Sequence, residues 1–283
     1  MIHFLKYRNS LIDISQALVM GVINVTPDSF YIDSRIKSSA TLLSRVEKMV
    51  EEGVDILDIG AYSTRPHADE VDSLEETRRL EKSLSKIRKE FPNLPISVDT
   101  FRSSVASFVV NNFEVGIIND IGGGTLDKNM FETIAELHVT YILMHIKGNP
   151  QTMQSQASYS NVSAEVLALL QKRLAQLRLL GHTDVIVDPG FGFAKTVEQN
   201  YELLLHLSLF RELNVPILAG LSRKSMIYKT LDTDAEHALT GTIAANFAAL
   251  MGGANILRVH DVLQAKQTIS IFRALNQPSF SDK

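Results

Sequence analysis

A short apolar run that ends in a polar residue and then breaks into a loop recurs along this chain. It is clearest in Asp184-Val-Ile-Val-Asp188-Pro-Gly-Phe-Gly-Phe-Ala-Lys195. Val185, Ile186 and Val187 are continuous rather than alternating, which suits a parallel strand covered on both faces. Pro189, Gly190 and Gly192 then force a loop, so Asp188 stands at the C-terminal end of a strand. A helical stretch follows, and the same order repeats. Strands are expected over 18–24, 54–60, 95–100, 115–121, 140–146, 184–190, 216–222 and 254–260. Helices are expected over 41–52, from Ser73, over 103–112, 127–138 and 162–180, from Thr196, over 235–251 and after Asp261. Ser73-Leu-Glu-Glu76 and Thr196-Val-Glu-Gln199 read as capping boxes, the first opening a helix with Leu74, Leu80, Leu84 and Ile87 inward.

Parallel-type strands alternating with helices argue for α/β architecture, a single (β/α)8 TIM barrel over 18–276. Residues 1–17 read as a hairpin around Arg8-Asn9-Ser10 that closes the bottom, and 277–283 as a flexible tail. The competing open sheet would more often carry a Gly-x-Gly-x-x-Gly turn after its first strand, and none is present. A net charge of −4 points to neither a nucleic-acid partner nor a membrane surface. The absence of cysteine excludes a disulfide framework, a thiolate metal site and a Cys nucleophile. No apolar run approaches the ~20 residues of a membrane span, and no signal layout opens the chain, so a cytoplasmic protein is expected.

In such barrels the active site lies at the C-terminal rim of the strands. There the sequence puts Asn24, Asp58, Asp99, Asn119, Asp120, His145, Asp188, Ser222-Arg223-Lys224, Arg258 and His260. Taken singly, each has a plain reading as a cap or an ion-pair member, and for Asp58, Asp120 and His145 that reading weighs as much as function. Their convergence on one rim points to a small-molecule enzyme, because buried polar groups are costly unless used. Ser222-Arg-Lys224 and Arg258-Val-His260 follow the last two strands, the usual phosphate corner, and read as an anion grip. Their alternative is a salt-bridge set with Asp232 and Asp261. Asp99, Asn119 and Asp188 form an acceptor-rich pocket suited to the donor edge of a planar heterocycle. Loops at 26–30, 63–66 and 148–153 stand ready to exclude water.

These segments, Asn24-Val-Thr-Pro-Asp-Ser-Phe30, Ser63-Thr-Arg-Pro66, Ser97-Val-Asp-Thr100, Ile118-Asn-Asp-Ile121, the 144–154 stretch, Asp188–Phe193, Ser222-Arg-Lys-Ser-Met226 and Arg258-Val-His260, together resemble the dihydropteroate synthase family. The resemblance runs in order from about residue 18 to 275. It implies condensation of 6-hydroxymethyl-7,8-dihydropterin diphosphate with 4-aminobenzoate, the folate-pathway step blocked by sulfonamides. It implies a pterin site of Asp99, Asn119, Met144, Asp188, Phe193, Lys224 and Arg258. Among these, Asp99, Asp188, Lys224 and Arg258 would be catalytic. Diphosphate would be bound by Asn24, Thr64, Arg258 and His260, with Asn24 ligating Mg²⁺. Phe30, Thr64, Arg65, Pro66 and Ser222 would form the aminobenzoate side. A homodimer is implied too. Without a Ser-His-Asp arrangement, and with an aniline nucleophile, SN1-like departure of diphosphate is the expected mechanism.

Two places depart from the family pattern. Tyr62 and His67 stand where the family usually has Glu before and Gly after Ser-Thr-Arg-Pro, and Tyr31-Ile-Asp-Ser-Arg-Ile-Lys37 replaces a Gly-rich segment. Both bear on the aminobenzoate side and on loop closure. The alternative functions are a methyltetrahydrofolate-corrinoid methyltransferase and a catalytically silent pterin-binding paralogue.

Overall fold

The computed structural model of the chain describes residues 4–25, 35–62 and 71–276. Strands β1 (Phe4–Tyr7) and β2 (Ser10–Asp13) pair antiparallel, with Arg8 at a φ of 55° in the turn. The repeating units follow as β3 (Leu18–Asn24), α1 (Arg35–Glu51), β4 (Ile56–Gly60), α2 (Ser73–Glu90), β5 (Ile96–Asp99) and α3 (Ser103–Phe113). Next come β6 (Ile117–Asp120), α4 (Met130–Leu137), β7 (Thr140–Met144), α5 (Val162–Leu179), β8 (Val185–Asp188) and α6 (Val197–Leu205). The chain ends on β9 (Leu218–Ala219), α7 (Ser225–Thr230), α8 (Leu239–Gly252), β10 (Ile256–Val259) and α9 (Val262–Asn276).

Strands β3 to β10 form one eight-stranded parallel sheet in the order β8-β7-β6-β5-β4-β3-β10-β9. A bridge between Val187 and Ile217 joins its two ends, so the expected barrel is observed. Apart from polar residues such as Asn24 at the rim, its strands are buried because helices cover them outside and side chains fill them inside. The lower interior is a layer of Met20, Ile56, Ile117, Ile142, Ile186, Leu218 and Ile256. Leu5, Tyr7 and Ile14 of the hairpin segment pack onto that layer from below. The Tyr7 hydroxyl accepts from the Ile96 amide and from Arg88 Nη2, both at 2.9 Å. An apolar filling below leaves only the opposite rim open to polar chemistry.

Several local expectations need correction. Helix α1 begins at Arg35 rather than Thr41, so part of the segment that replaces the Gly-rich stretch is helical. The cap of α2 is Asp72, whose side chain accepts from the Glu75 amide at 2.8 Å, not Ser73. Glu76 cannot reach back to close a box on Ser73, because it is fully buried against Arg102. Leu74 points outward and is 78 % exposed. Helix α4 starts three residues later than expected, at Met130. The seventh barrel strand is only two residues long, and the short helix α7 between it and α8 was not foreseen. The box at Thr196 forms as expected, with Gln199 as its partner. The loop residues 26–30 and 63–66 and the tail 277–283 lie outside the described residues.

Candidate active site

The rim is assembled by strand register. Asn24 pairs with Gly60, Gly60 with Asp99 and Asp99 with Asn119, so four neighbouring strands set these residues in one row. Gly60 is the gap in the row: a Cβ there would lie 3.2 Å from Asn24 Oδ1 and 3.5 Å from Asp99 Cβ. On the other side of the barrel, Met144 pairs with Asp188. A Cβ at Gly220 would lie 3.7 Å from Lys224 Nζ, 3.9 Å from Arg258 Cβ and 4.0 Å from Asp188 Oδ2. Asp188, Lys224 and Arg258 therefore meet at one mouth, as the sequence reading requires.

Arg258 organises the polar floor. Its Nε donates to Asp58 Oδ2 at 2.7 Å and its Nη2 to Asp99 Oδ2 at 2.9 Å. Asn119 Nδ2 donates to the same Asp58 oxygen at 3.1 Å, which orients its amide oxygen away from Asp58. Asp58, fully buried, is thus a site residue by way of Arg258, and its Oδ1 is left without a partner. Burial, reinforced by Asp58, holds the Asp99 carboxyl above the ordinary carboxylate range despite the nearby Arg258 cation. Burial also raises Asp188, against the pull of Lys224. Lys224 is pushed down to about 8 by burial, with Asp188 opposing.

Opposite this floor stands an apolar wall. Met144 packs with Ile121, Ile146, Met153 and Ala194, and Phe193 lies against them. Lys224 Nζ donates to the Phe191 carbonyl and sits 4.9 Å from the Phe193 ring centroid. A slot with a flat apolar side and a floor of carboxylates and amide suits a planar ring with N–H donors on its edge. Ser222 Oγ lies 3.1 Å from His260 Nδ1 and accepts from the His260 amide at 3.2 Å, which ties the ends of β9 and β10 together.

Some rim residues turn out to be structural. Asp120 caps its own turn, accepting from the Gly122 and Gly124 amides and from the Tyr141 hydroxyl. His145 faces Lys195 Nζ at 3.1 Å; burial pushes the imidazole down to about 2 and the lysine down to about 7. Lys195 also donates to the Gly190 and Phe193 carbonyls, so it shapes the loop after β8 from behind, a role its place in the motif did not disclose. Arg223 does not belong to the anion grip. It forms a two-point pair with Asp261 at 2.8 and 2.9 Å, while Asp232 takes no part in that pair. Phe30, Thr64, Arg65, Pro66 and His67 lie outside the described residues. Tyr62 packs edge-on to Phe101 at 5.2 Å, and its hydroxyl accepts from Gln151 Nε2 at 3.2 Å.

Comparison with known proteins follows the same lines. The family described as pterin binding enzyme matches residues 20–260. The chain is 41 % identical over 269 residues to the dihydropteroate synthase of Haemophilus influenzae, covering 94 % of this chain and 97 % of that one. A Yersinia pestis dihydropteroate synthase with a sulfonamide drug superposes with a TM-score of 0.89 at 32 % identity, over 96 % of this chain and 99 % of that one. The Xanthomonas albilineans dihydropteroate synthase with 4-aminobenzoic acid gives 0.88 at 34 %, over 98 % and 99 %. With this register of Asp99, Asn119, Asp188, Lys224 and Arg258 around one mouth, the chain belongs to the pterin-binding enzymes, in the dihydropteroate synthase family.

Proposed function

We propose that this chain joins 6-hydroxymethyl-7,8-dihydropterin diphosphate to 4-aminobenzoate, giving 7,8-dihydropteroate and diphosphate. The observation that carries the reading is the convergence of Asp188, Lys224 and Arg258 around Gly220, facing the Asn24–Gly60–Asp99–Asn119 row. Asp99, Asp188 and the Asn119 amide oxygen accept the donor edge of the pterin, Lys224 donates to its acceptor edge, and Met144 and Phe193 hold its faces. Arg258 is fixed by two carboxylates and stacks along the ring without being free to swing away.

In the reaction the bond from the pterin methylene carbon to the diphosphate oxygen breaks first, its electron pair leaving with the diphosphate. The electron-rich pterin spreads the positive charge, and Asp99 and Asp188 stabilise it from below. The lone pair of the neutral aniline then forms the carbon–nitrogen bond, and the excess ammonium proton passes to solvent or to the diphosphate. No strong base is required. Phe30, Thr64, Arg65 and Pro66, with Ser222, form the aminobenzoate side in this reading, and Thr64, His260 and Asn24 the diphosphate side.

Among the described residues no three His, Cys, Asp or Glu side chains could hold a metal ion together. Asn24 offers a single half-buried amide oxygen at the diphosphate side, which fits Mg²⁺, an ion that keeps several waters and takes phosphate oxygens. When bound it would neutralise charge on the departing oxygens. Among the described residues no helix is long and apolar enough to cross a membrane. Exposed Leu205, Leu209, Leu231 and Met251 on one side of the barrel support a homodimer, which light scattering would test.

The decisive experiment is diphosphate release on mixing the pterin diphosphate, 4-aminobenzoate and Mg²⁺. Lys224→Ala and Arg258→Ala should abolish release, and a secondary isotope effect at the methylene carbon should report a loose transition state. Near-full turnover in both variants would refute the site; the lack of any release by the wild-type chain would refute the activity. Among the described residues, no feature of the site favours the corrinoid methyltransferase or the silent paralogue.

A further inference from the structure

Among the described residues, the cations at the mouth are already committed. Arg258 is held by Asp58 and Asp99, Arg223 by Asp261, and Lys224 lies between the Phe191 carbonyl, the Phe193 ring and Asp188. The three carboxylates Asp58, Asp99 and Asp188 outnumber Arg258 and Lys224. A diphosphate ester carries at least two negative charges near neutral pH, so this mouth by itself is poorly matched to it. Beyond the Mg²⁺ proposed at Asn24, further positive charge from the described residues has to come from beside it.

Such charge lies next to His260. A cavity of about 220 Å³ opens there between α1 and α9, lined by Arg45, Lys48, Glu52, His260, Asp261 and Gln264. Both of its acids are engaged, Glu52 with Lys48 at 3.8 Å and Asp261 with Arg223 at 2.8 Å. Arg45 is exposed and makes no hydrogen bond or ion pair with any described residue. Its height in the fold is fixed by Met49, whose sulfur lies 3.1 Å from where a Cβ on Gly21 would stand. Gly21 is in register with Val259, the residue before His260. Helix α1 runs downward from the rim, so Arg45, one turn before Met49, reaches the level of His260. The first turn of α9 borders the same space, and its amide dipoles favour an anion.

We infer that Arg45 binds the outer phosphate of the pterin diphosphate, in a subsite that runs from His260 into the cavity between α1 and α9. The guanidinium presents a planar pair of donors that fits two phosphate oxygens at once, which a lysine does not reproduce. The inference rests on the activity proposed above and adds a residue outside the segments that carry the family resemblance.

The test measures three ligands on the intact protein with Mg²⁺: the pterin diphosphate by KM, inorganic diphosphate by calorimetry and competition, and 6-hydroxymethylpterin without phosphates by calorimetry. Arg45→Ala should weaken the first two by about tenfold or more, the loss of one charge-assisted grip. It should leave the phosphate-free pterin and the KM for 4-aminobenzoate unchanged. Arg45→Lys should recover only part of the loss. Alanine favours a helix and the position is exposed, so folding is not at stake. Diphosphate affinity within twofold of wild type, or an equal loss for the phosphate-free pterin, would overturn the inference. If the wild-type protein binds inorganic diphosphate but turns nothing over, the proposed activity fails while the binding comparison still decides on Arg45.

Discussion

Lys224 shows how a single side chain couples packing to chemistry. Burial lowers its ammonium to about 8, and Asp188 opposes the shift. Asp99 moves the other way, above the usual carboxylate range, because it too is withdrawn from water. The free enzyme needs Lys224 charged as a donor and Asp99 ionised as an acceptor. Plotted against pH, kcat/KM for the pterin diphosphate should therefore rise as Asp99 ionises and fall as pH passes about 8. Lys224→Arg keeps its charge at every accessible pH and should remove the descending limb, whatever it costs in rate. A wild-type profile flat to pH 10 would deny Lys224 that role. These residues were legible in the sequence because each stands just past an apolar run or inside a motif. What their donors would meet was not: Arg258 and Arg223 look alike in the chain, yet one joins two carboxylates in the mouth and the other is spent on Asp261. Only side-chain geometry separates them.

At the level of elements, the start of α2 shows why a local pattern misleads. Asp72 and Ser73 both stand three residues before a glutamate, and either fits the capping rule. Tertiary structure decides: Glu76 is buried and paired with Arg102, which leaves the Asp72–Glu75 alternative. Asp72→Ala should cost about 1 kcal/mol in urea unfolding, and Ser73→Ala should stay within about 0.5 kcal/mol. The reverse order would move the cap back to Ser73. The short helix α7 escaped the sequence reading for a related reason. Six residues are too few to show periodicity, and its start is set by Lys224, which belongs to the site. The loop after β8 was legible as a loop, but not the buried Lys195 that shapes it from beneath through two carbonyls and His145.

For the whole molecule, the repeating order of apolar run, polar end, loop and helix was enough to give eight parallel strands and the rim where chemistry gathers. How the cylinder shuts was not readable from it. The run at 216–222 is as apolar as the others, yet Pro216 lacks an amide and the Ile217 amide goes to the side chain of Asn255. Strands β8 and β9 consequently meet at one bridge, between Val187 and Ile217, with the Val187 amide donating to the Pro216 carbonyl. Asp188 leaves one edge of that thinly stitched seam and Lys224 follows the other. A pterin held by both would act as a staple across it. Substrate binding should then slow amide hydrogen exchange at Val187 far more than at Val98 or Ile118, which sit in continuous ladders. Breathing of this joint, opened when the slot is empty and sewn shut when it is filled, would make the enzyme's ligand part of its wall.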